Sequence, residues 1–214
     1  MSDPLREIDE EIRNERYLEL WKRYGPWAIA AAVLLVVIVA GYQGWKGYQH
    51  DQAVASARTY AQAVAALNDD NPGAARETLS GMADPAAGGY KLLAAFRLAE
   101  TQAAMDEPGR AVETWTGIAD ADVPPAYAHL ATIQATMHAL DAPDVAVPKA
   151  RLRTLASGAG ALRGTGRELE ALLAMTEGET DKAQDLYTSL AEAEATPAAQ
   201  RQRARRMLTL LDSA

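Results

Sequence analysis

The chain offers few residues with which to do chemistry. It contains three histidines, His50, His129 and His138, and no cysteine. His129 and His138 stand nine residues apart, whereas two metal ligands on one helix face need a spacing of three or four. Without thiols there is no disulfide framework, thiolate zinc site, iron-sulfur cluster or cysteine nucleophile, and the compartment stays open. Gly158, Gly160, Gly164 and Gly166 do not match a dinucleotide fingerprint, and no Gly-Lys-Ser or Gly-Lys-Thr phosphate loop occurs. These glycines read as a flexible connection. Serines and carboxylates are plentiful, but none stands in a nucleophile elbow or a paired-carboxylate motif. An enzyme would need a site assembled from residues far apart in the sequence. The reading is a non-enzymatic protein with no cofactor, no metal and no small-molecule substrate.

The charges point to surfaces instead. The 214 residues carry 21 basic and 29 acidic side chains, a net of -8, which argues against nucleic acid as a partner, because phosphate binding needs a cationic face. Beyond residue 45 the balance is 16 basic to 22 acidic, yet the terminal PAAQRQRARRMLTLLDSA carries Arg201, Arg203, Arg205 and Arg206 against one acid, Asp212. Two readings stand: a surface kept soluble by its charge, or a polarised surface complementary to a partner or to another copy of itself.

The elements that position these surfaces begin with a 22-residue uncharged stretch, Tyr24 to Trp45, whose centre reads AIAAAVLLVVIVAG. As a helix it is roughly 33 Å long, enough for a hydrocarbon core of about 30 Å. Trp27 lies at one end and Tyr42, Trp45 and Tyr48 at the other, where amphipathic rings favour the headgroup level. This predicts a single transmembrane helix with an aromatic belt. A buried core helix fits an uncharged stretch of this length poorly. A cleaved signal peptide is disfavoured by the 23 preceding residues and by the distance to the small-x-small site Ala53-Val54-Ala55. Five basic residues (Arg6, Arg13, Arg16, Lys22, Arg23) precede the span and two (Lys46, Arg58) follow within twenty residues. That asymmetry predicts a cytoplasmic N-terminus and a C-terminal domain across the membrane. Ala28 with Ala32, and Ala40 with Gly44, could let another membrane helix approach, although alanines are common in such spans.

In the first 23 residues Asp3 can cap a helix with Pro4 at its first position, and Leu5, Ile8, Ile12, Leu20, Trp21 and Tyr24 recur near the helical period. The segment reads either as an amphipathic helix along the membrane face or as a solvated tail that only sets topology.

After Tyr48 helical periods continue to the end. Turn signals at Asn68–Gly73, Asp106–Gly109, Asp141–Asp144 and Glu177–Asp181 are each followed by an alanine expected to start a helix: Ala75, Ala111, Ala146 and Ala183, at separations of 36, 35 and 37. A period near 34 in an all-helical chain is that of tetratricopeptide repeats, helix hairpins that must stack to bury their faces. GETDKAQDLYTSL is the best-preserved half-motif; the third, DAPDVAVPKARLRTLAS, is degenerate, with Pro148 interrupting it and Ala150 where an aromatic is expected. An unrelated alanine-rich bundle is the competing fold. The fold expected is all-α: one transmembrane helix, a tetratricopeptide-repeat-like α-solenoid of about four hairpins, and a C-terminal capping helix. The division is 1–23 charged N-terminus, 24–48 membrane helix, 49–196 repeat domain and 197–214 cap. Groove-facing candidates on the first helices are Tyr60, Phe96, Glu100, His138 and Glu168; Phe96 serves equally well as packing within its hairpin. With Arg201, Arg203, Arg205 and Arg206 they make up the candidate partner-binding residues.

The N-terminal REIDEEIRNERYLELWKRYG, the single span, and the repeat segments RTYAQAVAAL, GGYKLLAAFRLAE and LRGTGRELEALLAMTEGETDKAQDLY together resemble the bacterial ancillary SecYEG translocon subunit family. The resemblance covers nearly the whole chain and is weakest from Asp141 to Ala161. It implies an inner-membrane protein with the lipid bilayer around its span. Its periplasmic repeats would associate with the SecYEG translocon and with a membrane-anchored periplasmic chaperone of the prolyl-isomerase type. The alternative is a repeat adaptor in envelope assembly or cell division that is not attached to the translocon.

Overall fold

The computed structural model describes the backbone of residues 4–142 and 144–213, and within these the side chains of residues 22–27, 29–31, 33–142 and 144–213. Among the described residues there are nine helices, one 3-10 turn at Pro85–Ala87 and no strand. The helices are α1 (Pro4–Asn68), α2 (Pro72–Met82), α3 (Gly89–Ala104), α4 (Pro108–Asp120), α5 (Pro125–Leu140), α6 (Lys149–Ser157), α7 (Arg163–Thr176), α8 (Thr180–Glu192) and α9 (Ala198–Asp212). Residues 1–54 and 55–214 form two separate units.

In the first unit the uncharged stretch is helical and uncovered. Trp27 is 77% exposed and Leu34 60%, and the aliphatic run between them and Tyr48 is exposed throughout its described side chains. A core helix would bury this surface. Here only 6% of an 18-residue window of mean hydropathy 2.1 is buried, so α1 contains a stretch long and apolar enough to cross a membrane. Pro26 stands inside α1 without ending it. Helix α1 begins at Pro4 and continues into the apolar stretch. The Asp3 cap lies outside the described residues, as do the side chains of Leu5, Ile8, Ile12, Leu20 and Trp21 and of the pair Ala28 and Ala32. Ala40 and Gly44 are exposed.

The second unit is the expected solenoid. The part of α1 from Ala55 onward pairs with α2, α3 with α4, α5 with α6 and α7 with α8, and α9 packs on α8 as the cap. Its apolar interior is a series of four clusters along the stack, as packing of units against their neighbours requires. Ala63, Leu79, Ala94 and Leu98 join the first two hairpins; Trp115, Ile118, Ala131 and Ala135 carry contact from the second to the third. Leu152, Leu169 and Leu173 link the third to the fourth, and Tyr187, Leu190 and Ala204 seat the cap.

Three of the hairpins share one local design. A three-residue turn separates the helices, and its middle residue is left-handed: Asp70 (φ 54°), Asp106 (φ 61°) and Gly178 (φ 76°). Glycine takes this conformation freely, and aspartate tolerates it better than most residues. Pro72 and Pro108 then open the second helices, where proline's missing N–H costs nothing, and Asn71 accepts a hydrogen bond from Ala74 N–H at 3.2 Å. The fourth residue of each second helix is a fully buried alanine, Ala75, Ala111 or Ala183, at the close approach to the first helix. One turn later comes a large buried side chain: Leu79, Trp115 or Tyr187.

The third hairpin departs from this design and corrects the sequence register. Ala146 starts no helix; it is exposed in the connection between α5 and α6. Pro148 does not interrupt the helix but caps its start. The fourth residue of α6 is Leu152, 1% exposed, and the place of Leu79, Trp115 and Tyr187 is taken by Ala156. The true intervals are therefore 36, 41 and 31 residues, because a long α5–α6 connection is followed by a helix of only nine residues.

The glycines after α6 are also not all a flexible connection. Gly164 and Gly166 lie within α7, and a Cβ on Gly166 would stand 2.9 Å from both Ala156 N and Leu155 Cγ. Helices α6 and α7 thus touch through a glycine opposite Ala156. Gly166→Ala should lower stability by about 1–3 kcal/mol through overpacking, outweighing alanine's helix-propensity gain of up to about 1 kcal/mol. Gly117→Ala in α4, where a Cβ meets nothing within 4 Å, should instead stabilise. Denaturant unfolding of the two variants checks the signs; a stabilised Gly166→Ala would contradict the close approach.

Candidate protein-binding face

In the three hairpins that share the local design one position recurs on the first helix. Fifteen residues ahead of Ala75, Ala111 and Ala183, and eight before the end of each first helix, stand Tyr60, Phe96 and Glu168, all three of them sequence candidates. The longer α5–α6 connection breaks this count in the third hairpin: eight residues before the end of α5 is the buried Thr132, whereas Met137, 48% exposed, stands three from its end.

Around this position the first helices expose an apolar surface. The rings of Tyr60 and Tyr90 lie 5.7 Å apart across α1 and α3, and those of Phe96 and Tyr127 lie 6.3 Å apart across α3 and α5. Leu93, three residues from both Tyr90 and Phe96, shares their face of α3, and Leu130 follows Tyr127 by the same step on α5. Tyr60 and Phe96 are half-buried, Phe96 against the α3–α4–α5 cluster, whereas Tyr90, Leu93, Tyr127 and Leu130 are 40–43% exposed. The four exposed residues were absent from the sequence candidates. Helical spacing from Phe96 back to Leu93 and Tyr90 was the available signal.

The charged candidates divide differently. Glu100 is exposed on α3 and pairs with Arg97 at 2.9 Å. The Tyr60 hydroxyl and then the Glu100 carboxylate raise the Arg97 pKa further above its ordinary value. His138 lies flat on Trp115, ring centroids 4.5 Å apart, and so packs against α4. His129 reaches toward Gly160. Among the described residues no three His, Asp or Glu side chains gather to hold a metal ion.

Glu168 and Arg203, separate candidates in the sequence, meet in the structure. Arg203 donates Nε to Glu168 Oε1 at 2.7 Å and Nη2 to Oε2 at 2.8 Å, and the buried Gln200 amide donates to Oε2 at 3.1 Å. Gly164 leaves the room that the Gln200 amide occupies. The cap thereby locks α9 to α7. Arg201 donates to the carbonyls of Glu194 and Thr196, closing the α8–α9 turn. Arg205 lines an open cleft between α8 and α9 with Arg201, Glu192 and Glu194, and Arg206 is exposed. Of the four cap arginines, then, two hold the fold and two face outward.

The hydrogen bonds from Arg203, and then Gln200, hold the Glu168 carboxyl below its ordinary value of 4.5 against the opposing effect of burial. A depressed folded pKa contributes stability above the unfolded value and loses it as pH falls through the folded one. A double-mutant cycle of Glu168→Gln and Arg203→Ala should give a coupling of about 1 kcal/mol at pH 7. The wild-type advantage over Glu168→Gln should fade progressively below pH 4.5. Zero coupling at pH 7 in denaturant unfolding would contradict the lock.

No match to the chain was found among curated proteins or among solved structures. One family does match, and over nearly the full length: residues 19–210 fit the tetratricopeptide repeat-like domain. The left-handed turns, the buried alanines and the cap are the features such stacked hairpins need, and the chain belongs to the tetratricopeptide repeat-like domain family.

Proposed function

We propose that this chain is a membrane-anchored, non-enzymatic scaffold. Its α1 apolar stretch holds it in a bilayer while the repeat unit binds proteins through the face of its first helices. The single observation that carries the reading is the coexistence of two uncovered apolar surfaces in one chain: a lipid-compatible helix (Trp27 77% exposed) and a repeat face with four exposed aromatic and leucine side chains. Soluble monomers seldom leave such surfaces open without a partner for them. Repeat-like folds of this kind are interaction scaffolds.

The finer reading follows the resemblance of the N-terminus, span and repeats to the ancillary SecYEG translocon subunits. The N-terminus is cytoplasmic in a bacterial inner membrane and the repeat unit periplasmic, and the protein links the translocon with a membrane-anchored prolyl-isomerase-type chaperone during export. The five basic residues before the span against two after it support this orientation. In this reading the outward cap arginines, Arg205 and Arg206, and the face residues Tyr60, Phe96 and Glu100 belong to the partner-binding surface, while His138 is engaged by Trp115 and Glu168 by the cap.

Affinity purification from detergent-solubilised membranes, read by mass spectrometry, tests this on the intact protein and on a variant whose Tyr24–Trp45 stretch is exchanged for an unrelated span. The expected result is enrichment of translocon and chaperone by the intact protein and reduced channel recovery after the exchange. Unchanged partners after the exchange, with no channel enriched in either case, would replace it with the envelope-assembly or division adaptor.

A further inference from the structure

We infer that the face of the first helices takes an uncharged, apolar segment of its protein partner and excludes strongly charged ones. The inference rests on the reading of this face as protein-binding and adds the chemistry of what it binds.

Continuity comes first. The Tyr60–Tyr90 and Phe96–Tyr127 contacts bridge α1 to α3 and α3 to α5, and Leu93 and Leu130 continue the strip along each helix at a helical step. The strip thus crosses three first helices without passing through the buried core, and a segment laid across it would cover side chains now 40–43% exposed.

The charges decide the occupant. On α3 the ionised groups beside the strip already have internal partners. Arg97 is neutralised by Glu100 at 2.9 Å, and Lys91, next to Tyr90, is turned to Asp84 at 3.9 Å. At the far hairpin Glu168 is taken by Arg203 and Gln200. The outward side chains of α5 along the strip, Tyr127, Leu130 and Met137, carry no charge at all. A charged ligand group seated here would lose water and gain no counter-charge, which costs more than it returns. An acidic ligand would also meet a domain whose charge is net negative beyond residue 45. What the strip can reward is removal of apolar surface from water.

The test uses the full chain in lipid nanodiscs, with empty nanodiscs as the blank, and three fluorescein-labelled peptides of equal length. The first is uncharged (Leu, Tyr, Ala, Ser, Asn), the second Glu-rich and the third Lys-rich. Fluorescence anisotropy should report saturable binding of the uncharged peptide above the blank, nearly independent of salt, and little binding of the other two. Leu93→Gln with Leu130→Gln should weaken it about tenfold; both side chains are exposed, so the fold should tolerate the change, and an unaltered thermal unfolding midpoint checks this. Glu113→Gln, at an exposed position of the second helix α4, should leave it unchanged. Tighter, salt-sensitive binding of either charged peptide would overturn the inference. So would no binding of the uncharged peptide, wild-type affinity in the double-leucine variant, or self-association of the chain through the strip in place of peptide binding. The two readings fail separately: absent channel capture with intact peptide binding removes the translocon reading, whereas intact capture without peptide binding removes this one.

Discussion

Everything in the repeat unit depends on how closely the two helices of a hairpin can approach. Ala75, Ala111 and Ala183 are fully buried at the same place in three hairpins, and a side chain with more atoms there would push the helices apart. The turn five residues earlier cooperates. Asp70, Asp106 and Gly178 take left-handed backbone, so the chain reverses within three residues and presents the alanine to the first helix. Once the pair is closed, its large residue one turn on fills the space toward the next hairpin, in the case of Leu79 and Trp115, or toward the cap, in the case of Tyr187. The low aromatic content of the chain, 6%, is compatible with a stable unit because four small clusters share the work of one large core.

The third hairpin marks where pattern reading gave out. An alanine after a turn signal pointed to Ala146, but periodicity counted between turns cannot see that a longer connection postpones the helix to Lys149. The compensation lies in α7, where Gly166 lets Ala156 and Leu155 come close. From sequence those glycines look like a linker, because a glycine that admits a neighbouring helix and one that loosens a loop are written identically. The span, the all-helical fold and the cap were legible because each rests on a long run of one character. Tyr60, Phe96 and Glu168 were legible as one position because they precede aligned alanines by a constant step. Tyr90, Leu93, Tyr127 and Leu130 were not, since an apolar residue on an amphipathic helix looks like core until its neighbours are known. Nor was the Glu168–Arg203 lock, whose partners are 35 residues apart and on different helices.

The chain therefore divides its apolar residues among three environments. Alanines and a few large side chains fill the hairpin interfaces; the stretch in α1 has a surface suited to hydrocarbon; the strip on the first helices faces water and is free to receive a partner. On α3 the charges beside that strip are paired internally, and two arginines of the cap, Arg205 and Arg206, face outward.

Site-specific photo-crosslinking in intact membranes tests the central claim, that this face is where partners bind, most directly. A photoreactive residue at Leu93 or Leu130 should yield protein adducts, and one at Glu113, exposed on α4, a second helix, should yield none. Adducts at Glu113 with none at Leu93 or Leu130 would contradict the account.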